Sequence, residues 1–412
     1  MKKFIQITLL AVLSLAGLLL AVLVVSAAVY SPTYMARILH NGESKITDYR
    51  LFPKRMIAKG EHVYTYESHP DQPLPLAEIR YLSGGEPRTR PLAQLLEENG
   101  TTSCIVIKDD VLVYEAYFNG YARDSIETSF SSVKSLDSLL IGLAIEDGAI
   151  HSVQDRISDY IPELSGTPFE GITIEQLLLM RSPIDYREGL AWFSDDAKTY
   201  YAPDLRDLAL NQMRIDPSYT GQFHYNNYHP LLLGIILERA TGMHVADYFR
   251  WKIWSRIGAE FDASWSLDSD ESGFEKMESG LNFRSIDYAK IGSMLLHDGA
   301  WNGEQIVPAH WLKQSVIAPE PLSEEDLADW SLSGISIGYQ YMWYSTENAQ
   351  GGHDFFSAGK YGQYIYVSPE NNVVIVRTGY DVGEVDWWPG VLAQIAQLAQ
   401  HSASSAQDGN NG

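Results

Sequence analysis

Two side chains able to act together stand three positions apart in Phe130-Ser131-Ser132-Val133-Lys134. Residues three apart on a helix share a face, so the hydroxyl of Ser131 and the amine of Lys134 meet above one turn. An amine whose charge is disfavoured by burial or by a nearby cation takes the serine proton. A helix that starts here also turns free N–H groups and its positive end toward an oxyanion beside Ser131. Alone the pair is weak, because S-x-x-K arises by chance in a chain of this length, and a solvated Ser/Lys pair at a helix start is the plainer alternative. Ser129, Ser132 and Ser135 offer hydroxyls too, but only Ser131 stands three before Lys134.

Two further groups fit the same chemistry. In Gln222-Phe223-His224-Tyr225-Asn226-Asn227-Tyr228 a phenol placed near Lys134 can share its proton with the amine and serve as general base toward Ser131. Asn227 can orient the lysine or hydrogen-bond the substrate; an ordinary turn with a packed tyrosine is the alternative. In Phe356-Ser357-Ala358-Gly359-Lys360-Tyr361-Gly362-Gln363 small residues allow a close backbone approach. An N–H from that edge, at Gly359 or Lys360, can complete an oxyanion hole with the N–H of Ser131; the alternative is the glycine-rich start of a hairpin.

The elements that must position these groups follow from periodicity. Cys104–Ile107 and Val111–Phe118, joined at Asp109-Asp110, read as a hairpin. A helix over 131–146, apolar at Val133, Leu136, Leu139, Leu140, Leu143 and Ala144, ends at Gly148. Helices are predicted over 173–180, 204–213, 229–240, 244–256, 285–297, 308–316 and 387–400. Strands are predicted over 337–345, 361–368 and 372–379, the last two joined at Asn371-Asn372. Strands, many helices, strands and a helix make an α+β plan, an antiparallel sheet from both chain ends with a helical subdomain inserted between them.

Composition narrows the function classes. The 412 residues are 45% hydrophobic with one Cys, which excludes a disordered chain and a disulfide-stapled domain. A net charge of -23 repels phosphate backbones, so no nucleic-acid partner is expected. Cys104 sits in an apolar run and is read as a buried strand residue. The 11 His show no metal-binding spacing, and no phosphate-cradling Gly-rich motif is present, so neither metal nor cofactor is expected. His353-Asp354 is read as a surface pair, and the aromatic stretch 339–344 with Trp387-Trp388 as core.

From Phe4 to Tyr30 no residue is charged, a stretch longer than the ~20 residues that cross a bilayer, and Lys2 and Lys3 precede it. Residues 1–30 are therefore expected to be a signal-anchor in the inner membrane, with the rest exported to the periplasmic side. A signal cleaved near Ser26-Ala27-Ala28, releasing a secreted protein, is the alternative. Residues 31–95, carrying Pro32, Pro53, Pro70, Pro73, Pro75, Pro87 and Pro91, are expected to form a connector with little regular structure that wraps the main domain at 96–401; 402–412 read as a disordered tail.

The three motifs in this order resemble the penicillin-recognising serine hydrolases: class C β-lactamases, D-alanyl-D-alanine carboxypeptidases, related esterases and 6-aminohexanoate-dimer hydrolase. The resemblance extends through Gly142–Gly148, Tyr160–Leu164, Ile174–Leu178, Leu232–Gly242 and Asp287–Gly292. It implies a β-lactamase/transpeptidase-like fold, Ser131 as nucleophile, Lys134 as its partner, Tyr225 as general base and acid, Asn227 as a positioning residue, and an acyl-enzyme resolved by water. The substrate implied is a small or peptide-like amide or ester. Ser357-Ala358-Gly359-Lys360 replaces the Lys-Thr-Gly or His-x-Gly of penicillin-binding members and is closer to the 6-aminohexanoate-dimer hydrolase branch, which puts β-lactam hydrolysis in doubt. Met180-Arg181-Ser182-Pro183-Ile184-Asp185-Tyr186 replaces the usual Thr/Ser-Ser-Gly turn, and Asp185, Tyr186, Trp192 and Asp196 are expected to line the cleft. A β-lactamase or D-alanyl-D-alanine peptidase, and a non-catalytic peptidoglycan-binding or sensor module on the same scaffold, are the rival readings.

Overall fold

Alternating and continuous apolar runs at both ends of the chain meet in one sheet. The computed structural model describes residues 1–68, 78–189, 191–327 and 335–408. The sheet contains β1 (Glu67–Ser68), β2 (Thr101–Lys108), β3 (Val111–Tyr117), β4 (Gly338–Gln340), β5 (Trp343–Glu347), β6 (His353–Gly359), β7 (Gln363–Ser368) and β8 (Val373–Gly379). Their spatial order is β4-β5-β6-β7-β8-β2-β3-β1. All neighbours are antiparallel except β1, which lies parallel to β3. The centre is the pairing of β8 with β2, Ile375 opposite Val106 and Arg377 opposite Cys104. Residues Cys104 to Ile107 and Val373 to Val376 are fully buried, as strands covered on both faces require.

Seven helices matter for the site: α1 (Lys2–Tyr30), α2 (Pro32–Asn41), α3 (Val133–Glu146), α4 (Asp195–Tyr201), α5 (Tyr228–Thr241), α6 (Ser285–Leu296) and α7 (Trp388–Asp408). α3 is buried from Val133 to Ala144, and it admits a close neighbour at Gly142, where a Cβ would come within 2.4 Å of the Trp311 ring. α6 lies on the sheet against β8, and α5 packs against α3. A smaller sheet joins 54–57, 263–266, 281–283 and 127–128 beside the start of α3.

Several expectations are corrected. The run 337–345 is two strands separated by Tyr341 and Met342, both at positive φ (42° and 65°), a two-residue turn without turn-type residues. Tertiary bonds hold it there, from the Met342 N–H to the Leu178 carbonyl and from the Tyr341 hydroxyl to Glu175. Strand β6 starts at His353, and Asp354 is buried rather than on the surface, accepting from the hydroxyls of Tyr366 and Ser368. The connector is more regular than its prolines suggest. Pro32 starts α2, Pro53 precedes the strand 54–57, and Pro87 and Pro91 sit in the hairpin 78–83/86–91. Proline is compatible with each of these positions, a first helical turn, a strand start and an edge strand. Pro70, Pro73 and Pro75 fall outside the described residues. α7 runs to Asp408 rather than ending near residue 400, and 409–412 also lie outside the described residues.

Glu127 is expected to make stability depend on pH. Its side chain is buried, its Oε2 has no hydrogen-bond partner among the described residues, and burial pushes its carboxyl up to about 8, against the opposing pull of the Thr102 and Thr378 hydroxyls. The folded state therefore keeps this proton after the unfolded chain has lost it, so stability falls as pH rises from the ordinary carboxylate range to about 8. At about 1.4 kcal/mol per pKa unit the effect is a few kcal/mol. Urea melts between pH 5 and 9 are expected to show this decline, and Glu127→Gln is expected to flatten it.

Candidate active site

The nucleophile candidate stands on a strained turn. Phe130 has a positive φ of 44°, Phe130–Ser132 form a single 3-10 turn, and the α-helix proper begins at Val133, two residues after Ser131. A bulky residue in this region costs energy and persists only where neighbours hold it. Here the Ser129 N–H donates to the Leu281 carbonyl, the Ser129 hydroxyl donates to the Ser279 carbonyl, and the Phe130 ring packs edge-on to Tyr361. Three hydroxyls stitch α3 to α6 and β6: Ser132 Oγ lies 2.7 Å from the Tyr288 hydroxyl and 2.6 Å from Ser357 Oγ.

Lys134 Nζ donates to Ser131 Oγ at 2.8 Å and to the Glu278 carbonyl at 3.0 Å. The same ammonium nitrogen lies 5.1 Å from the centre of the Tyr225 ring. Thus the alcohol and the amine of one stretch and the phenol of another, some ninety residues on, converge. Lys134 is buried, while Ser131 and Tyr225 line a cavity of about 710 Å³. Its walls also include Asn227, Trp192, Asp196, Tyr200, Glu278, Ser279 and Lys360, together with Ile38, Leu39 and Gly42–Ser44 from the end of α2 and the turn after it.

Asn227 is oriented from behind. Its Nδ2 donates to the Tyr186 hydroxyl at 2.7 Å, and that hydroxyl donates to Asp196 Oδ1 at 2.5 Å. Asn227 Oδ1 is left buried with no partner among the described residues, as is Glu278 Oε2. Glu278 Oε1, by contrast, accepts from Lys276 at 2.9 Å and from the Ser279 hydroxyl at 2.8 Å. Lys276 is itself buried, and desolvation lowers its pKa against the opposing pull of Glu278.

Behind the nucleophile, Asp137 lies one turn beyond Lys134 on α3 and is fully buried, with no partner for either oxygen among the described residues. Burial raises its pKa well above the usual carboxylate range, with Lys134 opposing and Glu278 reinforcing the shift.

Lys360 lines the cavity at the end of β6. Arg377, buried beneath the turn that follows Gly359, donates to the Tyr361 and Gly362 carbonyls and fixes that turn. Lys360 Nζ is taken up by Glu43 Oε1 at 2.8 Å and Ser44 Oγ at 3.1 Å. Gly359 does not line the cavity but packs against the nucleophile turn, where a Cβ would lie 2.3 Å from the Ser129 carbonyl oxygen and 3.0 Å from the Ser132 nitrogen. Both are backbone atoms and cannot swing aside. Gly359→Ala is therefore expected to lower kcat tenfold or more in a folded protein, since a displacement of ~1 Å at reacting groups costs about 10²-fold. Single-turnover ester hydrolysis measures this.

Two expected cleft residues are placed elsewhere. Asp185 is buried in ion pairs with Arg214 at 3.0 Å and Arg187 at 3.3 Å and is absent from the cavity wall. Tyr186 is also off this wall, where its hydroxyl accepts from Asn227, and lines a neighbouring cavity that Tyr225 borders too, whereas Trp192 and Asp196 do line the wall. Sequence reasoning missed Glu278 and the wall contributed by α2. A signal for the first existed in Lys276-Met277-Glu278, two charges within a segment flanked by apolar residues; none marked the second. A second serine beside a base, Ser182 with His229 at 2.7 Å, is fully buried, and burial pushes the imidazole down to about 3, which marks it as structural. Donor atoms of Glu238, His244 and Glu275 also approach one another, but the two carboxylates are already held by Arg206 and Arg55.

A sequence model described as Beta-lactamase matches residues 92–379, more than half of the chain. The chain belongs to the β-lactamase family. Within that family it is similar to the 6-aminohexanoate-dimer hydrolase of Paenarthrobacter ureafaciens, 28% identical over 343 residues that cover 80% of this chain and 85% of the relative. A Bacillus anthracis structure described as a candidate 6-aminohexanoate-dimer hydrolase superposes with a TM-score of 0.72 at 26% identity, covering 87% of this chain and 93% of that one. The octameric penicillin-binding protein homologue from Pyrococcus abyssi shares the fold at 19% identity, with a TM-score of 0.57 over 74% of this chain and 76% of that one. The β-lactamase/transpeptidase-like architecture expected from the motifs is thus the architecture of this family member.

Proposed function

We propose that this β-lactamase family member is a serine hydrolase that cleaves an amide or ester bond through an acyl-Ser131 intermediate. The observation that carries this reading is the 2.8 Å bond from Lys134 to Ser131 on a cavity wall shared with Tyr225. Ser131 Oγ attacks the carbonyl carbon and its proton passes to the Lys134–Tyr225 couple. The couple returns a proton to the leaving nitrogen or oxygen as the C–N or C–O bond breaks. Water then adds to the acyl ester, gives a proton to the same couple, releases the acid and restores Ser131. The backbone N–H groups of Ser131 and Lys360 serve the oxyanion.

The acceptors left over at Asn227 Oδ1 and Glu278 Oε2 favour a substrate that brings N–H donors, because a buried acceptor without a donor is costly. That supports amides above esters as natural substrates, in keeping with the printed name of the Paenarthrobacter relative. With its ammonium engaged by Glu43, Lys360 is poorly placed to meet a β-lactam carboxylate. Residues 1–30 are proposed to remain as an anchor with the hydrolase on the exported side, since Ala27 and Tyr30 of α1 pack against Tyr34, Met35, Phe52, Ala197 and Tyr201 of the domain.

A fluorophosphonate probe is expected to label the protein once, at Ser131. Complete absence of labelling in a folded sample would favour the non-catalytic module instead.

A further inference from the structure

The cavity that holds Ser131 is walled in part by the helix that directly follows the membrane-spanning candidate. α1 is apolar and exposed along nearly its whole length and is long enough to cross a bilayer. Only Ser31 separates it from α2, and α2 docks on α4 beside the cavity: the Tyr34 hydroxyl donates to the Trp192 carbonyl at 2.5 Å, and Arg37 donates to the Tyr201 carbonyl at 3.1 Å. Ile38 and Leu39, which line the cavity, come only two turns after Pro32. At 1.5 Å per residue they lie roughly 10 Å along α2 from the end of the span.

Among the acidic and basic residues of the lining, Leu39 and Trp192 are exposed apolar groups, and Phe193 packs on Trp192. Leu39 is 62% exposed, Phe193 59% and Trp192 38%, with the two aromatic rings edge-to-face at 5.7 Å. Aromatic side chains with one apolar end and one polar end settle at a bilayer surface, and exposed apolar groups otherwise cost solubility. The net charge of -23 disfavours an anionic surface, so the attraction here is apolar rather than electrostatic.

We propose that the cavity receives amphiphilic substrates, amides or esters of a long aliphatic acyl chain, that enter from the bilayer holding α1, with the chain lying along Ile38, Leu39 and Trp192. The proposal rests on the hydrolase reading above and adds the substrate class and its route of access.

The full chain in phosphatidylcholine nanodiscs provides the test. With p-nitrophenyl acetate and octanoate, kcat/KM is expected to be at least tenfold higher for octanoate. Leu39→Asp, and separately Trp192→Gln, are expected to lower the octanoate-to-acetate ratio at least fivefold, partitioning of the esters being common to all the enzymes. p-Nitrophenyl palmitate in the enzyme's own nanodiscs is expected to turn over at least tenfold faster than in separate nanodiscs of the same lipid. A ratio near one, a ratio unmoved by both substitutions, or equal palmitate rates would overturn the proposal while fluorophosphonate labelling of Ser131 leaves the hydrolase reading intact. Failure of both labelling and ester turnover sinks the two together.

Discussion

Ser131→Ala is expected to reduce kcat/KM for small p-nitrophenyl esters and for a linear anilide by about a thousandfold or more, with the melting profile nearly unchanged. The expectation follows from what the side chain touches. Ser131 Oγ faces the cavity and bonds only to Lys134 among the described residues, so its loss removes the bond-forming atom while the core stays as it is. Lys134 keeps its bond to the Glu278 carbonyl and is not left unpaired. Activity that survives the substitution at more than a tenth of the wild-type value, in protein that no longer takes a fluorophosphonate label, would assign the chemistry to another group.

Lys134→Met should be nearly as damaging, about a hundredfold to ten-thousandfold in kcat, because proton transfer by a placed side chain is worth that much. Methionine fills the channel left by the lysine stem without its charge. Asp137 then loses the charge that opposes its raised pKa, and the Glu278 carbonyl loses its donor, so some loss of stability is expected as well. The informative comparison adds Tyr225→Phe. If the amine and the phenol work as one couple, the double variant loses little more than the worse single one. Multiplying losses in kcat would show that they act in separate steps.

Much of this site was legible because its chemistry is local. Ser131 and Lys134 meet through helical spacing alone, and the hairpin at Asp109-Asp110 follows from two residues that tolerate positive φ, here 51° and 60°. The convergence with Tyr225 rested on a family resemblance, since nothing in spacing relates a loop at 225 to a helix at 131. What escaped reading was set by long-range contact. Tyr341 and Met342 turn because Leu178 and Glu175 hold them, an arrangement invisible to local propensity. Asp185 looked like a cleft residue by position, yet Arg214 draws it into a buried ion pair. The prolines of 31–95 were read as breakers when several of them open elements instead. The cavity wall formed by Ile38 and Leu39 could not be foreseen, because the residues before the domain carry no motif that ties them to its active centre.

The pairing of β8 with β2 also bears on how the polypeptide is made. Val373 lies opposite Lys108, and Thr378 opposite Ser103, so the middle of the sheet cannot close until nearly all of the chain has left the ribosome. At about 5–20 residues per second that wait is on the order of tens of seconds. Throughout it the apolar strand Cys104–Ile107 has no β8 beside it, and its edge can pair with other nascent chains. A holding chaperone, or translocation coupled to synthesis, is the biosynthetic demand that this topology creates.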